Sequence, residues 1–455
     1  MTATTPSTTA TLRLQRLDLA SVVAGDPDAV SHRRALVRRG SVPDPSVREA
    51  ARQVLADVRL RGDEAVREAN DRVGGGRPDG RLVIGRAELA RARGALRPGV
   101  RRALDQSIAN VERFARDQLP RTTHTEITPG IDIERRWAPI ASVGAYVPGG
   151  SAPYPSSLVM TVVPARVAGV ERIVVASPAD RSGNLDPVLC GAAGLLEVEA
   201  LIVAGGAQAV GSLAYGLPDA GIEPVDRIVG PGNAWVTAAK IEVSGEVAID
   251  LPAGPSEGLV LADPPADPRR VALDLITQAE HGPDSPVLLV TTNGAFADAV
   301  ELEIRALLVE AHRRDILLRS LAEHGRVVLA PDLDAAIAFA NDYAPEHLSV
   351  DVQPLEETVE RLRHAGSLFV GPWAPESAGD YATGANHVLP TGGLARSSGG
   401  LAVETYGKYT QVQRITREGL AGIREAVTTL AEVEGLLAHR DAVARRFDPE
   451  RSRDR

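Results

Sequence analysis

The sequence predicts an α/β protein with two doubly wound, Rossmann-like units, a helical N-terminal segment and a small helical C-terminal domain. Short β-branched runs alternate with amphipathic stretches from about residue 140 onwards, which is typical of a mainly parallel sheet with helices on both faces. The alternation restarts after a proline-rich break at residues 252–255. The chain has 455 residues, of which 44 % are hydrophobic, so it can bury more than one core.

The first part of the chain is predicted to be helical. Apolar residues recur with the helical period at residues 45–73 and 87–119, and glycine and proline breaks separate the two stretches. Residues 1–11 are rich in Thr, Ala and Pro and are expected to form a disordered tail, not a secretion signal. The strands predicted for the first α/β unit are residues 172–176, 200–203, 227–229 and 247–249, with helices beginning near Asp186, Ala207 and Asn233.

The second α/β unit follows the break, and ligands are expected at the carboxyl ends of the strands in both units. A Gly/Ser/Thr-rich loop at 391–400 then leads to roughly 50 C-terminal residues, which are too few to bury a good core alone and must pack on something else. The strands predicted for the second unit are residues 258–262, 287–291, 326–329, 348–352 and 367–370, and its predicted helices are residues 268–281, 295–321, 332–341 and 355–364.

Charge and composition exclude several classes of function. The net charge is −10, from 50 basic and 60 acidic residues of interspersed sign, so neither nucleic acid nor an anionic membrane is an expected partner. Short basic clusters such as Arg38 and Arg39 are interpreted as solvated helix faces. No apolar run approaches the ~20 residues of a membrane span, and the expected compartment is the cytoplasm. The single cysteine, Cys190, lies in an apolar helical run and is interpreted as a buried structural thiol.

A first candidate for chemistry is the end of the helix predicted at 268–281. Asp267 can cap this helix, Pro268 fits its first turn, and a Gly-Pro pair stops it. Gln278 and His281 are three residues apart, so their side chains can converge on one point. The negative end of the helix dipole also favours a bound cation there. The alternative is that His281 is a capping or surface residue.

Glu346 and His347 form a second candidate, directly before a predicted strand. Adjacent residues of extended chain point to opposite sides, so each could serve a different catalytic step. A salt-bridged loop is the alternative. A third candidate is residues 371–392, a long stretch without predicted regular structure in which Asp380 and His387 are candidate ligands. The alternative there is that Asp380 only caps a turn.

Two glycine-rich turns, at 205–208 and 230–233, follow predicted strands and open helices, so their amide groups could receive a phosphate. Neither turn matches the G-x-G-x-x-G pattern, and an ordinary tight βα turn explains either one. Glu434 and His439 are placed in a C-terminal helix at 428–446, about 140° apart on an ideal helix, where they could flank a site. A solvated helix face is the alternative for that pair.

Together these motifs resemble the histidinol dehydrogenase family, over residues 14–447. The similarity is carried by segments that occur in a fixed order, and the whole set is far more specific than any one of them. The segments are VGAYVPGG at 143–150, GPGN at 230–233, AGPSE at 253–257, QAEH at 278–281, PEH at 345–347, GDYATGANHVLP at 379–390 and EGLLAH at 434–439. The sequence departs from the usual pattern of this family at 403–410.

The resemblance implies a zinc- and NAD-dependent enzyme that is a homodimer with a shared active site. Zn²⁺ would be held by Gln278, His281, Asp380 and, from the partner subunit, His439. The substrate L-histidinol would contact the metal ligands, Ser256, His347 and Glu434, with His387 nearby, and NAD would contact Tyr146, Gln208 and Asn233. The implied domains are an arm (1–44), a zinc and catalytic domain (45–145 plus 256–400), an NAD-binding domain (146–255) and a C-terminal domain that packs on the partner subunit (401–455).

The implied reaction is the four-electron oxidation of L-histidinol through the aldehyde to L-histidine, the last steps of histidine biosynthesis. His347 would act as the general base, and Glu346 would activate water to hydrate the aldehyde. This mechanism needs no cysteine. Three other interpretations remain open: a related zinc/NAD dehydrogenase acting on another small polar alcohol, a zinc hydrolase in which Glu346 activates water, and a metal-binding scaffold without activity.

Overall fold

The computed structural model describes residues 12–149 and 153–448, so the tail predicted at 1–11 lies outside the described residues. The chain divides into two compact units. The large unit comprises residues 1–118 and 140–406, and the small unit comprises residues 119–139 and 407–455. Within the part of the chain that is described, no helix combines the length and the apolar character needed to cross a membrane.

Sheet A of the large unit has six parallel strands, β1 (Gln15–Asp18), β10 (Gly258–Ala262), β11 (Val287–Thr291), β12 (Gly325–Leu329), β13 (His347–Asp351) and β14 (Ser367–Val370). From edge to edge their order is β1-β12-β11-β10-β13-β14. The accompanying helices are α1 (Leu19–Val23), α2 (Pro27–Val37), α11 (Pro268–Glu280), α12 (Gly294–Leu307), α13 (Arg314–His324), α14 (Leu333–Tyr343), α15 (Leu355–Arg361) and α16 (Glu376–Tyr381). Helices α11 to α13 share a core with one face of the sheet, and α14 shares a core with the other.

Sheet B, also in the large unit, has the strands β2 (Val83–Gly85), β5 (Ser142–Tyr146), β6 (Arg172–Ser177), β7 (Ala200–Val203), β8 (Arg227–Val229) and β9 (Ala248–Ile249). Their order is β2-β7-β6-β5-β8-β9, and only β2 is antiparallel to its neighbour. The strand order reverses direction next to β5, which is where doubly wound sheets open a crevice for ligands. The helices of this half are α3 (Pro45–Arg61), α4 (Asp63–Val73), α5 (Arg86–Gly94), α6 (Pro98–Asp117), α7 (Pro155–Ala168), α8 (Pro187–Leu195), α9 (Gly206–Tyr215) and α10 (Ala234–Val243).

Several helices of the large unit begin in the same way. Asp44, Asp186 and Asp267 each accept a backbone N–H of the first turn with the side chain, and each is followed by a proline in that turn. Proline fits there because its missing N–H would have no intrahelical acceptor and its φ is already helical. The helix starts near 186 and 268 were therefore readable from the sequence.

The sequence analysis predicted a small helical C-terminal domain, but the small unit also contains strands. It contains an antiparallel sheet of β15 (Gly407–Ile415), β4 (Ile131–Pro139) and β3 (Thr123–Thr128), in that order, together with α17 (Arg417–Val433) and α18 (Leu437–Ala444). β15 pairs with β4 along its whole length, over nine residues of each strand. This pairing joins chain segments more than 260 residues apart, which local periodicity cannot reveal.

The fold class is confirmed, and three details differ from expectation. The stretch predicted as one helix at 295–321 is divided into α12 and α13, which both contribute to one core with α11. Residues 45–118, grouped by sequence with sheet A, instead supply α3, which packs on α9 and α10, and β2, which pairs with β7 of sheet B. β5 also belongs to sheet B, although its residues were assigned to the other domain up to 145.

Candidate active site

A cluster of polar side chains, all of them buried except that of His281, lies at the amino edge of sheet A. Glu257 directly precedes β10, and Glu346 directly precedes β13, of which His347 is the first residue. Gln278 and His281 lie at the end of α11, which runs back from the carboxyl edge and so ends beside the amino ends of the strands. The cluster therefore lies at the edge opposite to the carboxyl ends at which the sequence analysis expected ligands, because α11 ends there and β10 and β13 begin there.

His347 is the centre of the cluster. Its side chain is 4 % exposed, its Nδ1 lies 3.2 Å from Oε1 of Gln278, and its ring stacks on that of His281 at a centroid distance of 6.1 Å. Because an amide oxygen can only accept, Nδ1 of His347 is the donor and the lone pair is on Nε2. Nε2 is buried and has no hydrogen-bond partner among residues 12–149 and 153–448. The basic nitrogen of this imidazole is therefore uncommitted.

Three carboxylates surround the two histidines. Oε1 of Glu376 lies 3.1 Å from Nε2 of His281 and 3.5 Å from Nδ1 of His347. Oδ2 of Asp380 lies 4.0 Å from Nε2 of His281, and Oε2 of Glu346 lies 3.9 Å from Nδ1 of His347. The side chains of Glu346 and His347 therefore lie at one site and do not point to opposite sides. Alternation of side chains applies within a strand, and Glu346 lies before β13.

Burial shifts the pKa values of these groups in opposite directions. It lowers the pKa of His347 to about 4, against the attraction of Asp380, so this imidazole is neutral near pH 7. Burial also raises the pKa of Glu346 well above its usual range, although the Glu257 N–H that it accepts at 2.9 Å opposes the shift. Burial of His281 favours its neutral form, but the hydrogen bond and charge of Glu376 outweigh that effect and raise its pKa.

The cluster fits a divalent cation. One ligand atom each of His281, His347 and Glu376 can be chosen so that all three lie within 4.8 Å of one another. Gln278 and Asp380 add amide and carboxylate oxygens, and a mixed nitrogen and oxygen set of this kind suits Zn²⁺. The buried Nε2 of His347 and Nε2 of Gln278 also have no partner in the described parts of the chain. A bound ion would rearrange these contacts.

The stretch at 371–392 links the cluster to sheet B. It contains the short helix α16, so it is less irregular than predicted, and Asp380 lies in that helix and not in a turn. Nδ1 of His387 donates to the carbonyl oxygen of Asp380 at 3.0 Å, and its Nε2 lies 3.1 Å from Oγ of Ser157 in α7. Both histidine nitrogens are thus occupied, although His387 borders the same small cavity as His347 and Asp380. Ser256, next to Glu257, is partly buried.

A large cleft opens at the carboxyl edge of sheet B. It has a volume of about 1250 Å³, and Tyr146, Gln208 and Asn233 all line it. Tyr146 ends β5 and is almost fully buried, which raises the pKa of its phenol to about 12. Gln208 donates to Oδ1 of Asn70 at 3.2 Å. Asn233 caps α10 through its side-chain oxygen. The three residues proposed for nucleotide binding therefore share one cleft, at the edge where ligands were expected.

Glu434 and His439 belong to the small unit, where both are exposed. The continuous helix predicted at 428–446 is wrong. Gly435 adopts φ +74°, a left-handed conformation that ends α17 at Val433, and α18 starts at Leu437. The two side chains therefore lie on different helices, and the angle worked out for one helix does not apply.

Sequence reasoning missed the contributions of Glu376, Glu257 and Arg39. Arg39 was assigned to a solvated face, but its Nε donates to Oε2 of Glu257 at 2.6 Å and its guanidinium lies 3.3 Å from the ring centre of Tyr343. Glu257 is 2 % exposed and its N–H binds Glu346. The available signals were an acidic residue, Glu257, directly before a buried strand, and a second acid, Glu376, within the candidate stretch at 371–392.

Cys190 is half-buried, not fully buried as expected, and burial raises the pKa of its thiol to about 11. A thiol with so high a pKa is almost entirely protonated near neutral pH and is a poor nucleophile. The side chain lies in α8, between residues that pack on the core of the large unit.

Comparisons with known proteins agree with this architecture. The family model for histidinol dehydrogenase matches residues 37–447. Histidinol dehydrogenase of Methanothermobacter thermautotrophicus is 44 % identical over 416 residues, covering 90 % of this chain and 96 % of that protein. The enzyme of Leifsonia xyli subsp. xyli is also 44 % identical, over 438 residues, covering 96 % of this chain and 99 % of that protein.

A solved structure gives the same result. The crystal structure of histidinol dehydrogenase from Elizabethkingia anophelis superposes with a TM-score of 0.87 at 34 % identity, covering 96 % of this chain and 98 % of that one. The range matched by the family model, 37–447, includes all of sheet B, the strands of sheet A other than β1, and the residues of the polar cluster. The chain therefore belongs to the histidinol dehydrogenase family, and it is an oxidoreductase.

Proposed function

We propose that the protein oxidises L-histidinol through the aldehyde to L-histidine, with two NAD⁺ and one water consumed for each histidinol. The observation that best supports this is the buried His347 at the amino edge of sheet A, whose Nε2 has no hydrogen-bond partner among the described residues and which has Glu346 beside it. Proton transfer from an alcohol needs an unprotonated base, and hydration of an aldehyde needs a second group that accepts a proton from water. The cluster offers both within 3.9 Å of each other.

Zinc would be held by Gln278, His281 and Asp380, with His439 of the partner subunit completing the set in a homodimer. Glu376 lies even nearer to Nε2 of His281 than Asp380 does, and it is a further candidate ligand. When bound, the zinc ion would orient the imidazole and amine of the substrate. Ser256 and Glu434 are proposed to contact the substrate as well.

The nicotinamide cofactor would lie in the cleft of sheet B, against Tyr146, Gln208 and Asn233, and would supply the hydride acceptor that no side chain can provide. The cleft has the volume for a ligand of this size. Its position at the carboxyl ends of β5, β6 and β7 is the one in which doubly wound sheets bind nucleotides.

His347 and Glu346 then accept different protons in the reaction. Nε2 of His347 takes the hydroxyl proton as the carbinol hydrogen leaves as hydride, and burial keeps this nitrogen unprotonated beforehand. Glu346 takes a proton from the water that adds to the aldehyde carbon, and its raised pKa makes it a stronger base than an exposed carboxylate. His347 releases its first proton to solvent and then accepts the proton of the hydrate in the second oxidation.

The test is the amount of NADH formed per L-histidinol consumed. We expect two, with activity lost to a chelator and restored by zinc. A ratio of one, or turnover only with another alcohol, would show that the substrate assignment is wrong.

Glu346→Gln tests the division of roles. It should slow oxidation of the aldehyde much more than oxidation of the alcohol, in single-turnover assays started from each compound. The matched control is Glu171→Gln, because Glu171 is an exposed carboxylate directly before β6. This variant should leave both steps unchanged. Equal losses in the two steps of Glu346→Gln would exclude the proposed role.

A further inference from the structure

Two arginines, Arg72 and Arg181, lie on the wall of the cleft in sheet B. Arg72 is in the last turn of α4, and Arg181 lies in the loop after β6. Both line the cleft and both are exposed. In the described chain, 12–149 and 153–448, neither guanidinium forms a hydrogen bond or an ion pair. An arginine offers five N–H donors in a planar fork that matches phosphate oxygens.

The acidic residues of the same wall are already engaged. Asp57 accepts hydrogen bonds of 2.7 and 2.6 Å from Arg61. Oδ1 of Asp180 accepts the backbone N–H groups of Ser182 and Asn184 at 2.8 and 2.9 Å. Both carboxylates are therefore held by groups other than the two arginines, and the guanidinium N–H donors of Arg72 and Arg181 stay available to a ligand.

The segments that carry the two arginines are held together by their backbones. The N–H of Ala179 donates to the carbonyl oxygen of Gly75 at 2.8 Å. Gly75 also packs closely on the glycine turn that opens α9, since an added Cβ would lie 3.3 Å from the nitrogen of Gly205. Arg72 and Arg181 therefore flank a fixed junction of three loops at the mouth of the cleft.

We propose that Arg72 and Arg181 bind the phosphate groups of the dinucleotide in the cleft. The inference rests on the proposed function, because that function places a dinucleotide there. Trp235 lines the same cleft and is 43 % exposed, so it offers an aromatic face to one of the ligand's rings. The phosphate has two possible sources: the diphosphate bridge, which NAD⁺ and NADP⁺ share, and the 2′-phosphate, which only NADP⁺ carries.

The test is titration calorimetry of the full-length, zinc-loaded protein with ADP-ribose, which carries the diphosphate without the nicotinamide. Arg72→Met and Arg181→Met should each weaken ADP-ribose binding about tenfold, which corresponds to about 1.4 kcal/mol, and should leave binding of adenosine unchanged. The salt dependence of ADP-ribose binding should also decrease in both variants. Arg91→Met is the control, because Arg91 is exposed on α5 and does not line the cleft.

The same titration with 2′-phospho-ADP-ribose separates the two sources of phosphate. Equal losses for both ligands assign the arginines to the diphosphate bridge, and a larger loss for the 2′-phosphorylated ligand assigns them to the 2′-phosphate. Affinities in both variants within twofold of the wild-type value would overturn the inference. If the wild-type protein itself binds no ADP-ribose, the proposed nucleotide cleft fails first, and that outcome is distinct.

Discussion

Lys240 and Asp250 form a fully buried ion pair near the cleft of sheet B. The chain has only two lysines, Lys240 and Lys408, and the first has a side-chain exposure of 2 %, against 1 % for Asp250. Nζ of Lys240 also donates to the carbonyl oxygen of Gly230 at 2.9 Å, while Oδ2 of Asp250 accepts the N–H of Gly230 at 2.7 Å. The pair therefore holds both polar groups of one glycine in the turn that leads to Asn233.

We predict that Lys240→Met lowers the free energy of unfolding by about 3 kcal/mol. Removing one partner of a buried pair typically costs about 3–5 kcal/mol, because the remaining charge stays desolvated. The lower end applies here, since Asp250 keeps two backbone N–H donors, those of Gly230 and Leu251. The measurement is urea denaturation followed by circular dichroism, with the midpoint and slope fitted for each variant.

Two further variants make the reasoning refutable. The double variant Lys240→Met/Asp250→Asn also removes the unpaired carboxylate of Asp250, so it should recover more than half of the lost stability. Lys408→Met is the control: because Lys408 is exposed, its free energy of unfolding should stay within about 0.5 kcal/mol of wild type. Lys240→Met should also weaken ADP-ribose binding, because the Gly230 turn borders the cleft. A loss below about 1 kcal/mol in the single variant, or a double variant less stable than the single one, would contradict the argument.

Three further predictions concern other parts of the molecule. Cys190→Ser should keep full activity. Iodoacetamide should label the native thiol slowly at pH 8, because a pKa of about 11 leaves about one thiol in a thousand as thiolate. Rapid labelling with loss of activity would contradict this prediction. Gly258→Ala should lower the zinc content after dialysis, measured by mass spectrometry, because the new Cβ would lie 2.8 Å from Oε1 of Gln278; unchanged zinc would exclude the contact. In the small unit, hydrogen bonds from two arginines, Arg136 first, lower the pKa of Glu134 to about 2. Its stabilisation is therefore complete above about pH 5 and is lost towards pH 2, so the stability difference between wild type and Glu134→Gln should vanish over that range; a difference that stays constant with pH would refute it.

Much of sheet A and sheet B follows from local sequence. The strands at 200–203, 227–229, 258–262, 287–291 and 367–370 match the predicted bounds. Apart from the partly exposed edge strand at 367–370, these strands are largely or fully buried, so they appear as continuous apolar runs that need no knowledge of the rest of the chain. Helix starts marked by Asp-Pro were equally readable, because a cap is formed by adjacent residues.

The elements that could not be predicted depend on distant partners. β3 is exposed along its whole length, and β15 is exposed except for its first residue and a partly buried position in its middle, so neither carries an alternating apolar pattern. They exist as strands because they pair with β4. The division of Glu434 and His439 between two helices is set by one glycine with a left-handed conformation, which the helical period of its neighbours conceals.

The sequence by itself determined the fold class, most strands of the two sheets, the family, and the residue types that a metal- and nucleotide-dependent oxidoreductase needs. These follow from local periodicity, capping and ordered motifs. Only the tertiary structure decided that Nε2 of His347 is buried without a partner in the described chain, that His347 lies beside Gln278 and Glu376, that Arg39 supports Glu257, and that the cluster lies at the amino edge of its sheet. Contacts between residues tens to hundreds of positions apart set burial and hydrogen bonding, and these in turn set which nitrogen can accept a proton.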